Sequence, residues 1–108
     1  MDPNGSRGLN LVALDARTHR ITHAKSYDTY GRSNASGDLI KDFKSIKNGS
    51  ILIVAVKDEG TKQFSKEARS LFETIGSKEV TALGYREGWG FIGVKGQKQF
   101  VEKRAGMV

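Results

Sequence analysis

Ser50-Ile51-Leu52-Ile53-Val54-Ala55-Val56, cut off by Lys57-Asp58-Glu59-Gly60, is the stretch that decides how this chain is read. Positions 51, 53, 54 and 56 are β-branched, which restricts χ1 and favours a pleated strand. Apolarity runs almost unbroken through it instead of alternating, which predicts a central strand covered on both faces. A covered strand needs amphipathic partners, and the flanking sequence offers one on each side. Downstream, Ala68, Leu71, Phe72 and Ile75 recur at i, i+3, i+4, i+7, with Ser65 placed to cap the helix and Gly76 to close it. Upstream, Leu39, Phe43 and Ile46, broadened by Ile40, predict a helix that starts at Ser36 and ends at Gly49.

Further out, Leu9–Leu14 and Arg20–Asp28 read as a hairpin joined by the turn chemistry of Asp15-Ala16-Arg17-Thr18, and Tyr30–Gly37 as a polar loop. Val80–Tyr85 and Trp89–Lys95 read as short strands on either side of Arg86-Glu87-Gly88, and residues 97–104 as an edge strand or a fraying end. The resulting order is ββαβαββ, an α+β globule in which two amphipathic helices bury their stripes on sheet.

The chain has 108 residues, room for one domain. Hydrophobic residues make up 37% and charged residues 28%, enough apolar material for a core. The absence of cysteine excludes disulfides, thiol nucleophiles and cysteine-based zinc sites, and leaves the redox compartment open. The longest apolar run, Ile51–Val56, is about a third of the roughly 20 residues of a membrane span, so none is expected. Met1–Ser6 reads as an expression scar or disordered tail without the basic-then-apolar order of a signal peptide, and residues 7–104 as the single domain. The net charge of +6 raises nucleic acid as a partner. Basic and acidic residues are interleaved along the whole chain, which describes a solvated surface and not a stripe for phosphates. Nucleic acid is therefore not expected.

Nothing in the sequence assembles a catalytic centre. His19 and His23 are four apart, roughly 13 Å along a strand, too far to share a metal ion. There is no G-x-S-x-G, G-x-x-x-x-G-K or H-E-x-x-H. Gly88-Trp89-Gly90-Phe91-Ile92-Gly93 has dinucleotide spacing but opens no helix. The expectation is a protein that is not an enzyme, with no cofactor and no metal. Chemistry gathers instead at strand ends. Asp58 and Glu59 follow the central strand, Arg86 and Trp89 frame a turn, and Asp28-Thr29-Tyr30 close the second strand. A carboxylate that accepts, a guanidinium fork that donates and an aromatic plane make a sugar-binding constellation. The same residues fit a structural reading, in which Asp58 and Arg86 pair and Trp89 belongs to the core.

Tyr27-Asp28-Thr29-Tyr30, Val56-Lys57-Asp58-Glu59-Gly60 and Leu83–Gly93 occur together with Arg7-Gly8-Leu9-Asn10 and Leu71–Ser77. Together they resemble the interleukin-like epithelial–mesenchymal transition inducer domain family over about residues 7–96. That family is similar to the pancreatic-derived-factor cytokines, the stem domain of protein O-mannose N-acetylglucosaminyltransferase and a domain of the cell-migration-inducing hyaluronan-binding proteins. The resemblance implies two β-sheets flanked by helices, no catalysis, and a secreted or secretory-lumen location. From the transferase stem it implies binding of β-linked N-acetylglucosamine through Asp58 and Arg86, with Lys25 as a weaker match to a further basic contact. The cytokine branch carries paired cysteines, which this chain lacks. Asn34-Ala35-Ser36 and Asn48-Gly49-Ser50 fit the N-glycosylation pattern in predicted loops, in keeping with a secretory route.

The main functional expectation is a lectin-like carbohydrate-binding domain whose partner is a glycan or glycoprotein. Asp58 and Glu59 accept hydrogen bonds, Arg86 donates, Trp89 or Tyr30 offers an apolar face, and Lys25 stands nearby. Such a site is weak singly, so oligomers would supply avidity. The alternative is a secreted cytokine-like ligand acting through a protein receptor, which requires an exposed apolar patch on the order of several hundred Å². A structural display or stem module is the remaining reading.

Overall fold

A computed structural model describes residues 7–57, 61–84 and 87–105. In chain order they form β1 (Gly8–Leu14), β2 (Ile21–Tyr27), α1 (Ala35–Ser45), β3 (Ile51–Lys57), α2 (Lys66–Glu73), a 3-10 turn at Val80–Ala82, β4 (Gly88–Val94) and β5 (Phe100–Ala105). The strands pair antiparallel in one sheet ordered β2-β1-β3-β4-β5, with β3 at its centre as the apolar run predicts. The fold is α+β in the expected ββαβαββ order; among the described residues the strands make one sheet and not two. No described helix is long and apolar enough to cross a membrane.

Local chemistry explains most element boundaries. The β1–β2 turn is held by Asp15, whose Oδ1 accepts from the amides of Arg17 (2.8 Å) and Thr18 (2.9 Å). Ser65 caps α2 by accepting from the Ala68 amide at 3.1 Å. Gly76 follows at φ +109, where the amides of Gly76 and Ser77 return to the Glu73 and Phe72 carbonyls. A Cβ there would meet the Phe100 ring at 2.5 Å, so glycine is required twice over. Helix α1 differs from its sequence reading: it begins at Ala35, and Ser36 is not its cap. The Ser36 hydroxyl instead donates to the Gln63 carbonyl (2.6 Å) and accepts from the Ser65 amide (2.8 Å), tying the two helix starts together. At its far end, Lys95 Nζ donates to the carbonyls of Phe43, Lys44 and Ile46. Helix α1 thus stops at Ser45, and Gly49 serves the following turn at φ +92.

One predicted strand does not form. Val80–Ala82 is a 3-10 turn and Leu83-Gly84 a loop, with Tyr85 outside the described residues. The guanidinium of Arg69, on α2, donates to the Val80 carbonyl (3.1 Å) and the Leu83 carbonyl (2.7 Å), while Ser77 Oγ takes the Val80 amide. Backbone groups that a ladder would need are already committed. The closing strand is β5, from the stretch read as an edge or fray.

Both helices lie on one face of the sheet, and Phe72 is the hub of that side. Its fully buried ring meets Phe43 (5.5 Å), Phe64 (6.5 Å), Trp89 (5.3 Å) and Phe91 (6.3 Å), each edge-on. The opposite face carries no described helix, and burial along β3 alternates: Leu52, Val54 and Val56 are buried while Ile53 and Ala55 are exposed. The expected covering of β3 on both faces is therefore corrected to one. Phe72→Ala should destabilise the domain by about 3–5 kcal/mol in urea unfolding, because four rings lose their common partner.

Candidate recognition site

Of the residues proposed from sequence to bind a ligand, the described ones, Tyr30, Trp89 and Lys25, lie apart from one another. Asp58, Glu59 and Arg86 lie outside the described residues. Their described flanks fall at one end of the sheet: Lys57 faces Gly8 across the β1–β3 ladder, and Val56 faces Trp89 one step from Gly88. Tyr30 stands at the same end. The Arg7 guanidinium forks onto Asp28, with Nε to Oδ1 at 3.1 Å and an NH to Oδ2 at 2.7 Å. The Gly31 amide adds a third bond to that carboxylate at 2.9 Å. Arg7 first, then this amide, holds the Asp28 carboxyl below its usual range. Arg7 also lies 4.8 Å from the Tyr30 ring centre, which Lys62 approaches to 5.8 Å. The Gln63 amide donates to the Thr29 carbonyl at 2.6 Å, stitching the chain after β3 to the end of β2. Gly8 makes the close approach possible: at φ +94, a Cβ would sit 2.3 Å from the Tyr27 carbonyl.

Trp89 and Lys25 are elsewhere. Trp89 is 3% exposed, its ring packed on Phe72 and Phe91 and its indole N–H donated to Glu102 Oε1 at 3.0 Å. It has no face to offer a sugar, and its assignment as a binding platform is corrected to a core role. Lys25 points to α1, 3.2 Å from Asp42 Oδ2 and over the Tyr27 ring. Tyr27 donates its hydroxyl to the same Asp42 oxygen at 2.7 Å, with His23 Nε2 at 2.9 Å behind it. Burial and that carboxylate push the Tyr27 hydroxyl well above its ordinary value, so this cluster ties β2 to α1. Asn34 and Asn48 are both exposed, at the start of α1 and in the α1–β3 turn.

Two side chains on β5 that the sequence did not single out hold the chain leading to β4. Glu102 accepts from Ser77 Oγ (2.7 Å), the amides of Lys78 (2.7 Å) and Glu79 (3.2 Å), and the Trp89 indole. Burial raises its carboxyl pKa, but these donors together outweigh burial and hold it below the ordinary 4.5. Arg104 reaches Glu79 (3.0 Å), both Glu87 oxygens (3.1 Å) and the Ala82 carbonyl (3.3 Å). The Gly84 amide closes on Glu87 Oε1 at 2.5 Å, so the flanks of 85–86 are tied together. No sequence signal marks Glu102, because its partners are 13 to 25 residues away.

Among the described residues, the exposed large hydrophobics, Ile21, Ile53, Ile92 and Val101, all lie on the uncovered sheet face. Cross-strand register aligns Ala24, Val12, Ile53, Ile92 and Val101 in one row across all five strands. The next row toward the β1–β2 turn is Ile21, Leu14, Ile51 and Val94. On the other side, toward the sheet end that carries Tyr30, the row is small or polar: Ser26, Asn10, Ala55, Gly90 and Lys103. Ile92 is 50% exposed, Val101 72% and Ile21 65%. Among the described residues, the paired positions of this face hold no carboxylate.

The described residues form a one-sided α+β layer with a braced loop end and an aliphatic sheet face that no described helix covers. The chain belongs to the Interleukin-like EMT inducer family, whose model matches residues 7–97. It is 37% identical over 92 residues to the cell migration-inducing and hyaluronan-binding protein of Mus musculus, covering 85% of this chain and 7% of that protein. It is 37% identical to protein FAM3C of Danio rerio over 98 residues, and 36% to protein FAM3D of Homo sapiens over 95. The alignments cover 88% and 85% of this chain and 41% and 40% of those proteins, so the chain spans about two fifths of the FAM3 relatives.

The Glu102 anchor has a pH signature. A carboxyl held below its unfolded value stabilises the fold above that value, and the contribution fades as pH falls through the folded one. Glu102→Gln should therefore lower stability at neutral pH by about 1–2 kcal/mol and flatten the loss of stability below pH 4.5, read from urea midpoints across pH.

Proposed function

We propose that this domain is a non-catalytic, extracellular, cytokine-like ligand that works by contact with another protein. The supporting observation is the bare sheet face. A protein-contacting ligand requires an exposed apolar patch, and two adjacent rows of aliphatic side chains supply one. The family's interleukin-like description agrees with a signalling role. Of the two aromatic faces expected for glycan recognition, Trp89 is core and Tyr30 is faced by the cations of Arg7 and Lys62.

Ile92 is half exposed, so Ile92→Lys should leave the fold and its urea midpoint unchanged while charging the patch. Saturable binding of the labelled domain to responsive cells should weaken at least about tenfold, the effect of removing one well-placed apolar anchor. Undiminished binding by that variant would overturn the reading.

Carbohydrate recognition is the second reading, favoured by one observation: a relative matched over 85% of this chain is named for hyaluronan binding. The net charge of +6 suits a polyanionic sugar. Here Asp58 and Arg86 would form the site, with Glu59 beside them and Tyr30 at the same sheet end. On a glycan array that includes hyaluronan oligosaccharides, the parent domain should bind, and both Asp58→Ala and Arg86→Ala should lose the signal. Binding retained by both variants discards this site.

A further inference from the structure

We propose that the turn end of the sheet, opposite Tyr30, binds a sulfated linear polysaccharide of the heparin class. The antiparallel register brings the ends of all five strands within a residue of one row, with Leu14 against Ile21 and Ile51, Ile51 against Val94, and Gly93 against Phe100. Three connections, residues 15–20, 46–50 and 95–99, therefore emerge side by side on a front about 20 Å wide, from the ~4.8 Å strand spacing. They carry five cations, Arg17, Arg20, Lys47, Lys95 and Lys98, against a single carboxylate, Asp15, which is +4 of the chain's +6. The charges are interleaved along the chain, and it is the register that gathers them. Arg17, Arg20, Lys47 and Lys98 are exposed, and among the described residues none of the four is in an ion pair. Lys44 adds an exposed cation in the last turn of α1. Of the carboxylates that border the patch, Asp42 is taken by Lys25 and Tyr27, and Glu73 lies on α2, a turn before the Gly76 that abuts Lys98.

The cations flank a formed cleft. It measures about 390 Å³, lies between the first two connections and is lined by Asp15, Arg17, Lys47, Asn48 and Ser50. Its frame is braced: the Gly49 amide donates to the Lys95 carbonyl and the Lys95 amide to the Ser50 carbonyl, each at 2.9 Å, while Asp15 Oδ1 fixes its own turn. Gly96 abuts Asn48, whose carboxamide a Cβ there would meet at 3.4 Å. The C-terminal end of α1 also points this way, and Lys95 covers it by donating its ammonium to the carbonyls of Phe43, Lys44 and Ile46. An approaching anion meets cations and not the negative pole of the helix. The Arg17 fork and the Lys47 ammonium suit sulfate groups, and the Asn48 carboxamide suits sugar hydroxyls. None of the three connections holds Phe, Tyr or Trp, the stacking platform that single-stranded nucleic acid uses. Ala16 is their only exposed apolar side chain, too little to anchor the domain in a bilayer. Unpaired cations this close together favour a chain that bears sulfates as well as carboxylates over one with carboxylates alone.

This site shares no residue with the sheet face or with the Asp58–Arg86 pair, so its fate is separable from theirs. Immobilised heparin should retain the parent chain at about 0.15 M salt, with an affinity that falls steeply as salt rises. Arg17→Ala combined with Lys47→Ala should weaken heparin binding at least about tenfold and lower the slope of log affinity against log salt by about two, one per cation removed. Both side chains are exposed and alanine keeps the residue 17 amide that Asp15 holds, so the urea midpoint should not move. Lys66→Ala combined with Lys103→Ala removes the same charge from exposed positions elsewhere and should cost less than about threefold. Arg86→Ala should keep heparin binding. Soluble heparin fragments should compete at charge concentrations at least about tenfold below those of hyaluronan, single-stranded DNA or phosphatidylserine vesicles. A parent chain that heparin does not retain overturns the proposal. So does an equal loss in the two double variants, which would mean net charge alone, or a loss confined to Arg86→Ala. Competition by hyaluronan, DNA or vesicles as strong as that of heparin discards the sulfated sugar as the ligand.

Discussion

The packing of Phe72 against four other rings fixes which side of the sheet is filled. Phe72 lies on α2, Phe43 on α1, Phe64 just before α2, and Trp89 and Phe91 on β4, so a single ring links both helices to the sheet. The two helices also share hydrogen bonds at their starts, through the Ser36 hydroxyl. Neither can move to the other face without breaking the cluster, and a five-stranded sheet with both helices on one side has its other side bare. The aliphatic rows on that bare side are a consequence of the cluster as much as of their own sequence.

Ion pairs serve this architecture more than they advertise a site. Arg7 on Asp28 and Arg104 on Glu79 and Glu87 fasten connecting segments near one end of the sheet, and the four donors around Glu102 fasten the segment after α2 to the middle of β5. The exposed pairs contribute little to stability individually. Their effect is positional, since they hold the residues flanking 58–60 and 85–86 on a rigid base. Glu102 differs because its donors include the buried Trp89 indole, which would otherwise lack a partner.

Several features were legible because their causes are local. The α2 stripe with its Ser65 cap and Gly76 closure, the Asp15 turn and the central position of β3 all follow from neighbours within a few residues. The strand expected at Val80–Tyr85 failed because Arg69, at least eleven positions earlier, takes the carbonyls of Val80 and Leu83. Trp89 looked like a ligand platform beside Arg86 in sequence. In space the strand's alternation turns it inward onto Phe72, while Gly88 and Gly90 face the other way.

The sequence by itself determined both helices, the strands β1 to β4 and the apolar character of β3 on both sides, since β-branching, periodicity and capping act over one or two turns of chain. Only the tertiary structure decided that the helices cover one face and leave Ile53 and Ile92 in the open. Side assignment depends on which rings meet across up to 29 residues of chain, and no local pattern encodes it. The apolar run that first placed β3 at the centre of the fold also supplies Ile51 and Ile53 to a surface that the fold itself does not bury.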